Sequence, residues 1–407
     1  MPPVALYVHV PFCVSLCPYC DFVVYSGAAA RGPRSRVEPF LRALGAELEL
    51  RADAFDAAFG PPQAPGRPPL ESVYLGGGTP SLLPVTAVAA LLHHVERRFG
   101  LVAGAEVTIE ANPGPDERGD LAGLRTAGVT RLSLGAQSLD AAELRRIGRR
   151  HRPEDVVEAL QAARAAGIAH RSIDLLYDLP DQSPETWAAT VERALDLPVD
   201  HLSAYALTLD DPDAEGLTGP AGDHLPVRPG ARRWRRTASA AQDADLAADA
   251  YALLDERLAA AGFAWYELSN WARRGGQSRH NLAYWRRRPY AALGPGAHAF
   301  DGVRGRRWNA ARLDGYLAAL TPADGAPARL PPGGGERLDE RTVTAERAVL
   351  GLRLREGIDP RLARHPAVRP ALAWASTHGF LEPAPGERIR LTLPGRLVSN
   401  ELFARLV

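Results

Sequence analysis

The sequence predicts an α/β protein: a partial barrel of six β/α units, followed by a small C-terminal α+β domain of winged-helix-like type. Three observations carry that expectation. Over the first 210 residues, short segments rich in β-branched, aromatic and Leu side chains alternate with amphipathic helical stretches. Several helical stretches open on Pro and close near Gly, as at Gly100, Gly128 and Gly167. Farther on, Pro322–Gly335 (PADGAPARLPPGGG) has the composition of a linker and sets the last segment apart. Strand-then-helix units in series imply parallel strands joined by right-handed crossovers. A flat doubly wound sheet is the alternative.

In order, the strands are expected at Leu6–Val10, Ser72–Leu75, Val107–Ala111, Arg131–Gly135, Ser172–Leu176 and His201–Ala206. Helices fall between them at about Glu38–Ala58, Pro84–Phe99, Glu117–Ala127, Pro153–Ala166 and Pro184–Leu195. Gly60–Pro69 is a proline-rich surface loop, and Asp211–Ala231, rich in Gly, Pro and Asp, ends the repeat region. A helix at about Asp243–Ala261 leads into an aromatic-dense stretch from Phe263 to Trp308. The expected division is therefore 1–210 for the barrel, 211–321 for an extension, 322–337 for a linker and 338–407 for the small domain. In the last, helices precede a short hairpin at Ile389–Leu393 and a terminal helix.

Composition excludes several classes. Across 407 residues, 46% hydrophobic and 24% charged content is that of a soluble globular protein. Basic and acidic residues balance at 48 each, so no global field draws nucleic acid or anionic lipid. The run Arg232–Arg236 reads as a solvated face. No apolar stretch reaches the roughly 18 residues of a membrane span, which leaves only peripheral contact. Met1–Tyr7 lacks the basic and apolar regions of a signal peptide, so a cytoplasmic location is expected.

All three cysteines fall within eight residues, Cys13, Cys17 and Cys20, spaced C-x3-C-x2-C directly after the first strand. So odd and crowded a set is no disulfide framework, and in a reducing compartment it reads as metal ligands. Three thiolates can hold three corners of a [4Fe–4S] cubane and leave the fourth iron open. A structural zinc site would want a fourth ligand, which His9 could supply. Its place four residues before Cys13, with Pro11 between, favours the cluster.

In a β/α barrel the site lies at the C-terminal ends of the strands. The second strand runs into Gly76-Gly77-Gly78-Thr79-Pro80 and the third into Glu110-Ala111-Asn112-Pro113. The fourth ends at Gly135-Ala136-Gln137-Ser138, the fifth carries Asp174, and the sixth carries Tyr205 and Thr208. Polar or glycine-rich signals thus recur at one end of strand after strand.

The triad within Tyr7-Val8-His9-Val10-Pro11-Phe12-Cys13, together with GGGTP, resembles the radical S-adenosylmethionine (radical SAM) superfamily. It is similar in particular to the branch holding the oxygen-independent coproporphyrinogen III oxidase (HemN) and the heme chaperone HemW. The resemblance covers nearly the whole chain and implies a barrel of the radical SAM type. It implies that Cys13, Cys17 and Cys20 hold a [4Fe–4S] cluster whose open iron chelates the amino and carboxylate groups of S-adenosylmethionine. Gly77, Gly78 and Thr79 match the glycine motif at the methionine end of that cofactor. Arg149 matches an arginine that pairs with a carboxylate, a task suited to a planar fork. Glu110, Gln137 and Asp174 match contacts to its amine or ribose, and Tyr7 and Tyr19 match flanking aromatic positions. The chain departs at Asp178 in Tyr177-Asp178-Leu179-Pro180, where Gly is usual; the departure is expected to alter a turn rather than the site.

Three features point away from the oxidase. The oxidase carries a fourth cysteine two residues after the triad, where this chain has Phe22, and an N-terminal extension for which the early Cys13 leaves no room. His280-Asn281-Leu282-Ala283-Tyr284-Trp285 fits HNxxYW, a motif associated with heme binding in the resembling chaperones. Neighbouring Tyr266–Trp271 and Leu293–His298 also match that branch. His280 could ligate heme iron, Asn281 completes the motif, Tyr284 and Trp285 offer flat apolar area, and Arg286, Arg287 and Arg288 could meet the propionates. His298 is a rival ligand. The expected function is a heme carrier that delivers heme to an acceptor protein, with a flavodoxin or ferredoxin as electron donor. Oxidative decarboxylation of coproporphyrinogen III, and a zinc-stabilised barrel that binds a partner, are the alternatives.

Overall fold

The structure is a computed structural model that describes residues 1–323 and 326–407. The expected linker residues 324–325 lie outside the described residues. Six parallel strands pair in sequence order: β1 (Ala5–Val10), β2 (Leu70–Gly77), β3 (Leu101–Ala111), β4 (Arg131–Gln137), β5 (His170–Tyr177) and β6 (His201–Ala206). A doubly wound sheet reverses its order at a switch point. This one does not, so the winding is that of a barrel. The helices between the strands are α1 (Val37–Phe59), α2 (Val85–Phe99), α3 (Leu121–Thr126), α4 (Ala141–Arg146), α5 (Pro153–Ala165) and α6 (Pro184–Leu195).

Alternation along each strand separates two environments. Val8, Leu75, Ile109, Leu134, Ile173 and Leu202 face outward into one apolar core shared with the helices. Truncating any of these leucines to Ala would cost about 2–5 kcal/mol. Tyr74, Glu110, Ser133, Asp174 and Ser203, one residue out of phase, line the interior of the barrel. The polar lumen therefore follows from pleat and pattern.

Beyond β6 come α7 (Pro229–Ser239), α8 (Ala244–Ala260), the antiparallel strands β7 (Ala264–Glu267) and β8 (Asn270–Ala272), and α9 (Arg279–Trp285). The chain then adds β9 (Tyr290–Leu293) parallel to β1, and β10 (His298–Phe300), β11 (Gly305–Asn309) and β12 (Gly333–Arg337) as an antiparallel ribbon. The finished sheet has 12 strands, with β12 at one edge and β7 at the other, so the barrel is partial.

After α10 (Leu313–Leu320), the small domain comprises α11 (Glu340–Arg353), α12 (Pro360–Ala363), α13 (Arg369–Thr377), a hairpin of β13 (Leu381–Ala384) and β14 (Arg388–Leu391), α14 (Leu393–Leu397) and α15 (Ser399–Leu406). It has its own apolar core around Leu352, Ile358, Leu372 and Leu402. Among the described residues, no helix is long and apolar enough to cross a membrane.

Several expectations are corrected. Of the expected hairpin Ile389–Leu393, Ile389–Leu391 belongs to its second strand, its first strand lies upstream at Leu381–Ala384, and Thr392 instead caps α14 by accepting a hydrogen bond from Gly395 N–H. The linker does not run to residue 337, since Gly333–Arg337 pairs with β11. The third helix starts at Leu121, after Gly119 takes φ +70° and Asp120 caps the helix through Gly123 N–H. Asp178 adopts the left-handed conformation that Gly would supply, at φ 58°. Its carboxylate accepts from Gln242 Nε2 (3.1 Å) and Asp243 N–H (3.2 Å), so the turn is kept.

Candidate functional site

A cavity of about 420 Å³ opens at the C-terminal ends of the strands and descends through the lumen. Cys13, Cys17, Cys20, Phe22 and Tyr19 form its lip, and Gly77, Gly78, Glu110, Gln137, Arg149 and Asp174 its walls. Thr79 stands one contact behind: its Oγ1 lies 3.3 Å from Cys13 Sγ and accepts from Asn112 Nδ2 at 3.0 Å. Tyr7 is in the lumen, its hydroxyl 3.0 Å from His9 Nδ1. Gln137 sits at φ 67°, a strained backbone conformation of the kind kept at functional sites.

Packing explains the glycine motif as well as ligand access does. A Cβ on Gly77 would meet the His9 ring at 2.5 Å, and one on Gly78 would meet Phe12 O at 2.6 Å. His9 is spent elsewhere. Its Nε2 bonds Val23 O at 2.8 Å while Nδ1 meets Tyr7, so it is not the fourth ligand of a zinc knuckle. Among the described residues, no three His, Cys, Asp or Glu side chains converge as ligands of one ion. A cubane needs no such convergence, because each thiolate binds a different iron.

Arg149 ties the wall to the cluster loop. Its Nη2 donates to Asn112 Oδ1 (2.6 Å) and Gly135 O (2.7 Å), and Nη1 reaches Cys17 Sγ at 3.6 Å. Its Nε is buried without a partner, a vacancy suited to an anionic group. Burial pushes the Cys13 thiol up to about 12 and raises Cys20, so metal binding there must displace protons. Burial, with Asp174 nearby, raises Glu110 to about 7, against hydrogen bonds from the Tyr74 hydroxyl (2.8 Å) and Gly77 N–H (2.9 Å). Three thiols on the lip, a buried arginine with a spare donor and a carboxyl poised near neutrality fit a [4Fe–4S] cluster with an amino-acid-bearing cofactor.

Two residues that the sequence reasoning passed over complete the site. Asn112 joins Thr79 to Arg149, and its place before Pro113 at a strand end was the available signal. Arg235, on α7, is only 7% exposed. Its guanidinium donates to Pro18 O (3.1 Å), Tyr19 O (3.0 Å) and Cys20 O (3.0 Å), and also to Asp210 O. The run Arg232–Arg236 is therefore not merely a solvated face; it clasps the cysteine loop.

HNxxYW lies at the opposite end of the barrel, where α9 seals the floor. Glu106 accepts from Ser278 Oγ (3.2 Å), Arg279 N–H (3.0 Å) and His280 N–H (3.0 Å), which anchors the helix start under the lumen. Ser278 and Asn281 form the cavity bottom. His280 is 0% exposed, with Nδ1 at 2.9 Å from Ser72 Oγ and Nε2 at 2.7 Å from the Tyr284 hydroxyl. Burial lowers its pKa to about 3. The Trp285 ring is covered by Arg353 at 4.3 Å. Arg286, Arg287 and Arg288 pair with Glu356, Glu346 and Glu71. Both imidazole nitrogens of His280 are hydrogen-bonded within the fold, Tyr284 packs edge-on against Tyr290, and Asn281 lines the cavity.

The parallel barrel with a cysteine-lipped mouth defines a class, and the comparisons agree with it. The family description "Radical SAM superfamily" matches residues 7–194. The heme chaperone HemW of Mycobacterium tuberculosis is 40% identical over 407 residues, spanning 100% of this chain and 95% of its own length. HemW of Escherichia coli is 36% identical over 298 residues, 73% of this chain and 70% of its own. The chain belongs to the radical SAM superfamily and, within it, to the HemN/HemW branch. The solved structure of coproporphyrinogen III oxidase (HemN) from Escherichia coli shares the fold, with a TM-score of 0.76 at 22% identity over 100% of this chain and 90% of that one.

Proposed function

We propose that the chain holds a [4Fe–4S] cluster on Cys13, Cys17 and Cys20, binds S-adenosylmethionine beneath it, and carries heme to an acceptor protein in the cytoplasm. What supports the cofactor site is the cysteine-lipped cavity walled by Glu110, Gln137, Arg149 and Asp174. What supports the heme role is the full-length likeness to proteins named heme chaperones. When bound, the cluster supplies an electron, delivered by a flavodoxin or ferredoxin, that can cleave the cofactor's sulfonium. Arg149 would pair with the cofactor's carboxylate and Glu110 would accept a hydrogen bond from its iron-bound amino group, while Gln137 and Asp174 hold the ribose and Tyr7 and Tyr19 flank it.

Position 22 separates the two readings of the branch. Phe22 is 62% exposed on the lip and offers apolar contact where the oxidase carries a further thiol. Anaerobic reconstitution tests the proposal. The full chain should gain iron and labile sulfide that Cys→Ser variants lose, and should then take up heme in a titration, with or without S-adenosylmethionine. Conversion of coproporphyrinogen III to a vinyl-bearing product would replace the carrier with the oxidase. Zinc without iron in the purified protein would end both readings.

A further inference from the structure

A cluster on the cysteine loop has to receive its electron from outside the chain. Electron transfer weakens steeply with distance, so a donor must dock over that loop. The turn after α4 lies against it: a Cβ on Gly148 would meet Pro18 Cδ at 2.9 Å, and Arg149 Nη1 reaches Cys17 Sγ at 3.6 Å. Helix α7 grips the same loop through the Arg235 guanidinium. The two flanking elements also meet each other. Trp234 Nε1 donates to Arg146 O at 3.1 Å, and its ring lies 6.5 Å from that of Tyr19. Cysteine loop, α4 turn and α7 thus form one contiguous surface.

That surface carries four unpaired cations. Arg145 lies in the last turn of α4, Arg150 follows at the cavity rim, and Arg233 and Arg236 stand on α7. All four are exposed, and among the described residues none forms an ion pair or a side-chain hydrogen bond. Neighbouring carboxylates are engaged elsewhere: Asp211 and Asp213 with Arg232, Asp181 with Arg146, and Asp178 with Gln242. Asp21 is the one acidic residue between Cys13 and Arg36. Basic and acidic residues balance over the whole chain, so this excess is local. It does not serve the fold either. Arg233 and Arg236 are three apart on one helix, where like charges weaken rather than support it.

Resting on the cluster reading, we propose that this arginine-bearing face docks an acidic one-electron carrier protein of the flavodoxin kind. The carrier's flavin is oxidised by one electron and the cluster is reduced by one. A polar face with Trp234 half-buried within it suits the small, short-lived interfaces of electron-transfer partners. Complementary charge steers such partners together and fixes their orientation.

The test uses the full, cluster-loaded chain with a flavodoxin as probe. Oxidised flavodoxin should bind in a calorimetric titration, and raising salt from about 50 to about 300 mM should weaken binding. Reduced flavodoxin should bleach the cluster's visible absorption with the same salt dependence. The triple variant Arg145→Glu, Arg233→Glu, Arg236→Glu should bind at least about tenfold more weakly and be reduced at least about tenfold more slowly. Its iron content, melting temperature and photoreduction by free deazaflavin should match wild type. Arg364→Glu, at an exposed arginine of the small domain, should behave as wild type in every arm. If the triple variant binds and is reduced like wild type, the cluster reading stands and the docking face falls. A wild-type chain that holds no iron ends both. Binding of an RNA oligonucleotide, with none of flavodoxin, would make this a nucleic-acid surface and overturn the inference.

Discussion

Glu110 stands where the lumen's polarity meets the cofactor wall, and its titration can be read as binding. Below about pH 7 the buried carboxyl is protonated and neutral; above it the group is an anion facing the cavity. Because the folded value is raised, ionisation costs stability as pH climbs through 7, and an iron-bound amino group donating to the carboxylate offsets that cost. Affinity for S-adenosylmethionine is therefore expected to rise between about pH 6 and pH 8 and then level off. Glu110→Gln should bind weakly with a flat profile, measured by calorimetry on cluster-loaded protein. At this scale the sequence was informative wherever chemistry is local. The triad and strand-end residues could be named because spacing along one strand or loop places them. His280 could not be judged, because its partners Ser72 and Tyr284 bond it only after folding, the first from 208 residues away.

Among the elements, α7 shows what a charge pattern conceals. Trp234 and Arg235 turn inward while Arg233 and Arg236 stay exposed, as a helix dictates. The carbonyls that Arg235 holds lie 217, 216 and 215 residues away, beyond any local signal. Arg235→Ala leaves those carbonyls without their donor. It is expected to lower iron per chain and to cost about 2–3 kcal/mol of stability, measured by iron assay and thermal melting. Arg235→Lys keeps the charge but lacks the fork, so an intermediate iron content is expected. Strand β12 was missed for a related reason. Its glycines present no side chains from which a period of two can be read, and what defines the strand is the ladder from β11.

For the molecule as a whole, the six-unit winding was legible because each strand and helix declares its own period. The additions at both sheet edges were not, because short antiparallel strands take their pairing from the body. The small domain is bound to that body by buried ions. Arg396 pairs with Asp255 at 2.6 Å and lies over Trp265 at 4.4 Å, and Arg353 reaches Glu267 at 2.9 Å. Breaking one partner of such a pair typically costs about 3–5 kcal/mol. Arg396→Ala should therefore lose about that much in denaturant unfolding and make the chain beyond residue 338 more sensitive to limited proteolysis.

The helix that closes the floor also sets an order of arrival. With α9 anchored beneath the lumen by Glu106, the cavity's doorway lies at the other end, among the exposed residues Phe22, Arg150 and Thr208. Whatever sits deepest came first and must leave last. A flat ligand resting at that doorway would lengthen the residence time of the molecule below it without touching it, so loading and release become a queue.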